Sequence, residues 1–196
     1  MKHAAIGCVV AIVVGALVIG LLAMGTYNRL VGLQEAVTSA WAQVENVYQR
    51  RADLIPNLVA TVRGARDFEQ ETLTQVVEAR ARVGQVQVSG VPDQQELQRF
   101  AAAQDSLSSA LSRLLVVVER YPELRATEAF RDLQAQLEGA ENRIAVERHR
   151  FNQAARDYNT ARRQFPAVLI AGLLGFGERP YFEAVEGAEV PPTVEF

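Results

Sequence analysis

Apolar residues fall into several distinct patterns along the chain. From Ala4 to Met24 every position is apolar or small, with no charge and no proline. At a rise of about 1.5 Å per residue this run reaches across a hydrocarbon layer of about 30 Å. Beyond Thr26, Leu30, Leu33, Val37, Trp41, Val44, Tyr48, Ile55, Leu58 and Val62 recur at spacings of three or four, with one gap across Arg51. That period predicts one buried face of a long helix. It continues through Phe68, Leu73, Val76 and Val77 to Val83, where Gly84 supplies a stop.

The stretch from Gly84 to Pro92 has no helical period and reads as a loop, with Val86 and Val88 available for local packing. Asp93, with Glu96 three residues on, predicts a capping box that opens a second helix. Leu97, Phe100, Leu107, Leu111, Leu114 and Val118 carry that helix to about Arg120, and Tyr121-Pro122 stops it. Thr127 is the expected N-cap of a third helix. Its apolar face runs through Phe130, Leu133, Leu137, Ile144, Phe151, Ala155, Tyr158 and Ala161 to Phe165-Pro166.

No convincing strand alternation occurs, so the fold class is all-α: an N-terminal transmembrane helix followed by an elongated antiparallel helical bundle. The divisions are an anchor over 1–26, a bundle domain over 27–164, an apolar segment over 165–182 and an acidic tail over 183–196, expected to be disordered. One choice is geometric. A first helix continuous from Tyr27 to Val83, kinked near Pro56, gives three long helices with part of the first projecting as a stalk. A break between Pro56 and Gly64 instead gives four segments packing up and down. The absence of a turn cluster around Gly64 favours the continuous helix.

The Ala4–Met24 run also invites a signal-peptide reading, since Lys2 and His3 make a basic start and Ala23-Met24-Gly25 loosely imitates a cleavage site. The run exceeds the usual signal core of about 7–15 residues, which favours an uncleaved single-pass anchor. Lys2 before the span against Arg29 behind it tips the positive-inside rule toward a domain outside the cytoplasm, at the inner membrane, by a single charge. Twenty Lys and Arg against 23 Asp and Glu give a net charge of -3, which offers no footprint for nucleic acid.

Chemistry is sparse. Cys8, inside the apolar run, is the only cysteine and reads as an inert buried thiol. His149 sits in Glu147-Arg148-His149, and its spacing does not match the Glu-x-x-His ligand pair of helical carboxylate metal sites. Nucleophilic triads, zinc sets and phosphate loops lack material, so neither catalytic residues nor a metal or cofactor is expected. Arg143, Arg148, Arg150, Arg156, Arg162 and Arg163 interleave with Glu138, Glu141, Glu147 and Asp157 as a solvated, salt-bridged face.

Phe165, Leu169, Ile170, Leu173, Leu174 and Phe176 make an apolar segment too short to span a bilayer. It folds back to cap the bundle core, or contacts a membrane surface or a partner. A four-segment bundle returns it toward the membrane, whereas a three-helix bundle carries it away.

Pro56 is the costliest residue in the pattern, since an interior proline forfeits a backbone hydrogen bond at about 3 kcal/mol. It sits in Arg50-Arg51-Ala52-Asp53-Leu54-Ile55-Pro56-Asn57-Leu58-Val59. Together with Ala40-Trp41-Ala42-Gln43-Val44, Glu138-Gly139-Ala140-Glu141-Asn142-Arg143-Ile144-Ala145, Phe151-Asn152, Tyr158-Asn159, Phe165-Pro166, Gly175-Phe176 and Tyr181-Phe182-Glu183, this stretch resembles the LemA family of bacterial membrane proteins. Tyr27-Asn28-Arg29-Leu30-Val31 extends the likeness toward the anchor, while Ala140, where the family more often has threonine, departs from it. The resemblance implies an anchored helical bundle, no established enzymatic activity, and scaffolding or adaptor work of the kind served by a relative in magnetosome membrane biogenesis.

The expected function is therefore a membrane-anchored helical scaffold or adaptor acting through an unidentified protein partner, or through itself as a homo-oligomer. A membrane-surface or remodelling element is the alternative, and a hydrolase or metal enzyme with a cryptic carboxylate site the remote one. Arg50, Arg51, Asp53, Pro56 and Asn57 on the first helix are expected to meet Glu141, Asn142 and Arg143 on the third as a structural or docking node. Asn57 or Asn142 should satisfy the backbone group that Pro56 frees.

Overall fold

The computed structural model describes residues 2–65 and 68–183. Among these there are six helices and no strand: α1 (Lys2–Arg63), α2 (Gln70–Gln85), α3 (Gln94–Val118), the single turn α4 (Pro122–Arg125), α5 (Glu128–Arg163) and α6 (Ala167–Leu174). The acidic tail lies outside the described residues beyond Glu183, as does the side chain of Cys8.

Helix α1 runs from the apolar N-terminal stretch through Pro56 without ending. It stops at Arg63, and the favoured continuity from Tyr27 to Val83 is thereby corrected. The reason is burial. Ile55, Leu58 and Val62 form one core cluster with Leu73 and Val76, which lie on the returning α2. On a continued α1 those two side chains would sit on an unpartnered stalk in water, each forgoing about 1.5–3 kcal/mol. Four long segments result, as in the alternative topology. Gly84 also fails as a stop: α2 continues one residue past it and is capped at Val86 in an extended conformation.

The other boundaries follow local chemistry. Asp93 accepts from the Glu96 amide at 2.8 Å while the Glu96 carboxylate accepts from the Asp93 amide at 3.0 Å, so the capping box forms. Thr127 caps α5 by accepting from the Phe130 amide.

From Tyr27 to Arg63 α1 is about 55 Å long, and the 36 residues of α5 match it at about 54 Å. The two pack side by side as the main pair, and α2 and α3 pair against their distal half. The core is layered accordingly. The distal cluster joins Ile55 to Val62 with Leu107, Leu114, Phe130 and Leu137. A middle cluster gathers Trp41, Tyr48, Phe100, Phe151 and Tyr158, with Val86 and Val88 packed on it. At the base, Leu30 meets Ala161, Ala167 and Ala171. The up-and-down path thus returns α6 to the end of α1 nearest the apolar stretch. Among the described residues, an 18-residue window of α1 near its N-terminus, within Ala11–Arg63, has a mean hydropathy of 1.9 and none of it is buried in the bundle, so the helix is long and apolar enough to cross a membrane.

Candidate functional site

The gap in the α1 stripe is filled by Arg51, which stands at core register between Tyr48 and Ile55 and is 1% exposed. A buried guanidinium is tolerated only when its charge is paired and most of its donors are taken; here both terminal nitrogens are bonded and Nε has no partner among the described residues. Arg51 donates to Gln104 Oε1 and the Gln104 carbonyl, to Ser108 Oγ at 2.7 Å, and to Glu141 Oε1. One side chain of α1 therefore ties α3 and α5, and its guanidinium lies 5.1 Å from the Tyr48 ring centre. The Glu141 side chain is 45% exposed, so the ion pair stays open to solvent on one side. Burial pushes the Tyr48 hydroxyl above its ordinary value of 10.0; Arg148 and Arg51 oppose this, while Asp105 and Glu141 add to it.

Of the expected node only Arg51 and Glu141 come together. Arg50, Asp53, Pro56, Asn57, Asn142 and Arg143 are all exposed, and Asp53 accepts locally from Gln49. The carbonyl that Pro56 leaves without its helical donor belongs to Ala52, and Arg80 Nε of α2 donates to it at 3.1 Å. The expectation that Asn57 or Asn142 fills this role is thus corrected. An asparagine adjacent to the proline sits on the wrong face of α1, whereas an arginine on a packed neighbour reaches it.

A second constellation joins α5 to residues 177–183. Asn152 accepts from the Phe182 amide and donates to the Phe182 carbonyl, both at 2.8 Å. Seven residues later, two turns along the same face, Asn159 accepts from the Arg179 amide and donates to the Arg179 carbonyl at 2.7 Å. Each amide side chain pairs with both main-chain groups of one residue, as a neighbouring strand would. Tyr158 adds a bond from its hydroxyl to the Gly177 carbonyl. The clamp seats Phe182 against Trp41 and Phe151 in the middle layer.

The apolar segment divides by size. Ala167 and Ala171 are buried, Ile170 and Phe176 half-buried, whereas Phe165 is 81% and Leu173 85% exposed, and Leu169 and Leu174 also face out. The fold-back is real, but small side chains make it. Among the described residues no group of three or more His, Cys, Asp or Glu is placed to hold a metal ion. His149 is exposed beside Leu33 and Asp157.

Residues 40–196 match the LemA family model. The chain belongs to the LemA family. The magnetosome protein MamQ of Magnetospirillum gryphiswaldense is 25% identical over 183 residues, covering 84% of this chain and 67% of that protein. MamQ 2 of Paramagnetospirillum magneticum matches at the same identity and coverage. The protein LemA of Metamycoplasma hominis is 22% identical over 163 residues, 83% of this chain and 71% of its own. With its apolar N-terminal helix, this LemA-family chain fits a membrane-associated helical protein.

The structure gives several LemA motifs a shared purpose. Phe151-Asn152 and Tyr158-Asn159 are the receiving half of the clamp, and Tyr181-Phe182-Glu183 is the segment it holds. Gln104, Ser108 and Arg80 escaped sequence reasoning. Gln104 left a trace, a polar residue at core register between Phe100 and Leu107, opposite another polar residue at core register on α1.

Proposed function

We propose that this LemA-family protein is a single-pass, membrane-anchored scaffold that binds protein partners along its helical bundle and acts without catalysis. The observation that carries this reading is the continuity of α1, which supplies both the membrane-length stretch and the longest member of the bundle. A bundle built on the same helix as its anchor stands at a fixed height and orientation, and a partner docked on it is held up to about 55 Å from the bilayer. The Arg51 node supports the same view, because it locks α1, α3 and α5 in one register. The magnetosome names of the MamQ relatives agree with a place at a membrane.

The test is photo-crosslinking of the full chain in native membranes from probes on exposed bundle positions such as Val77, Val116 and Val146, followed by identification of what is captured. Recurrent capture of one protein, or of a second copy, from neighbouring positions is expected. Capture that matches a control carrying only the anchor overturns the scaffold reading. The proposed sidedness, with the bundle outside the cytoplasm, predicts cleavage by protease added to intact spheroplasts.

A further inference from the structure

Helix α6 has its large and small apolar residues on the wrong sides for a helix in water. Ala167 and Ala171, one turn apart, face the bundle and pack against Leu30. Leu169 and Leu173 lie about 200° round the helix from them and are 65% and 85% exposed, with Phe165 and Leu174 beside them. A helix in water turns its leucines inward and its alanines outward. α6 carries no charged residue at all, and its neighbours state where it sits. Phe176, just past its Gly175 cap, meets Tyr27 edge to face at 5.8 Å. Tyr27 and Leu30 lie three and six residues beyond Met24, about 4.5 and 9 Å along α1. That is the depth of the headgroup layer, where tyrosines gather and where interfacial helices bury an apolar face by about 5–10 Å.

We infer that α6 lies in the lipid headgroup boundary, with Phe165, Leu169, Leu173 and Leu174 inserted into the bilayer beside the α1 span. The occupant of the exposed face is lipid because the helix that carries it is packed on α1 at Tyr27 and Leu30, in the first turns beyond the uncovered apolar side chains from Ile12 to Met24. The bundle then touches the membrane at two places, and tilting about α1 is suppressed. The Asn152 and Asn159 clamp fastens the chain that follows α6 and so keeps the helix at this depth. This inference rests on the anchor reading above.

The experiment uses the full chain with Cys8→Ser, reconstituted in phosphatidylcholine vesicles with and without phosphatidylglycerol. Single fluorophores are attached through Leu169→Cys, Leu173→Cys, Ile19→Cys in the span and Val116→Cys on exposed α3. Quenching by doxyl lipids several-fold stronger at 169 and 173 than at 116, with weak quenching there by aqueous iodide, is expected in both lipid mixtures. Labels at 169 and 173 that behave like 116 while 19 is lipid-quenched overturn the α6 inference and leave the anchor standing. A label at 19 open to iodide overturns the anchor reading and the inference with it.

Discussion

Arg80 Nε donates to the carbonyl of Ala52, the acceptor left open by Pro56 four residues later. The proline's cost in α1 is offset by a tertiary bond, so the motif marks a docking point between α1 and α2. A double-mutant cycle follows. Arg80→Ala should cost about 1 kcal/mol in the native background and close to nothing beside Pro56→Ala, where the restored amide takes the Ala52 carbonyl. Equal losses in both backgrounds, measured by chemical denaturation, would contradict the assignment.

Arg51 is the residue whose loss the bundle should feel most. Arg51→Ala leaves the buried acceptor of Gln104 without its donor and opens a cavity where a side chain 1% exposed had stood, at a cost of about 2–5 kcal/mol, while the half-exposed Glu141 returns to solvent. Glu141→Gln should cost about 1.5–3 kcal/mol, as for a hydrogen bond to a charged group. Arg150→Ala, which breaks the exposed pair with Glu147, should fall below about 1 kcal/mol. Arg51→Lys should rescue only in part, since one ammonium can stand in for Nη1 at Ser108 and Glu141 but not also for Nη2 at Gln104. Urea midpoints of the four variants give the ranking.

The asparagine clamp predicts local, not global, opening. Asn159→Ala should remove the partners of the Arg179 amide and carbonyl, and Asn152→Ala those of Phe182. Hydrogen exchange of residues 177–183 should accelerate in either variant while the amides of α3 keep their protection. Unchanged exchange at Arg179 and Phe182 would mean that the aromatic packing alone holds the segment.

Alkaline pH should weaken the fold through Tyr48. Its hydroxyl ionises above 10.0 in the native state because of burial, and near 10 when unfolded. The contribution is complete below pH 10 and is lost as pH rises through the raised native value, because the unfolded chain gives up its proton first. Tyr158 is shifted the same way, by burial against the opposing pull of Arg179 and Arg162. Tyr48→Phe should flatten this alkaline loss, read as the slope of unfolding free energy against pH.

Much of this was legible in the residues. The capping box at Asp93, the Thr127 cap and the apolar stripes of α1, α3 and α5 depend on neighbours a few positions apart, so a linear reading finds them. Arg51 was visible as a gap in the apolar stripe, and of the two groups expected to meet across the bundle one pair, Arg51 and Glu141, comes together. The six companions were chosen by adjacency in the motif, and adjacency on a helix sends side chains to different faces.

By itself the sequence determined an all-α chain with a membrane-length N-terminal stretch, the N-caps at Asp93 and Thr127 and the register of its core, because local period and cap chemistry set these. Tertiary structure alone decided where α1 ends, which donor serves the Ala52 carbonyl, and that α6 turns its alanines inward beside Leu30. Each of those turns on which surface a distant segment covers, and burial against a distant partner outweighs the weak local preferences at Gly64, Asn57 and Leu173.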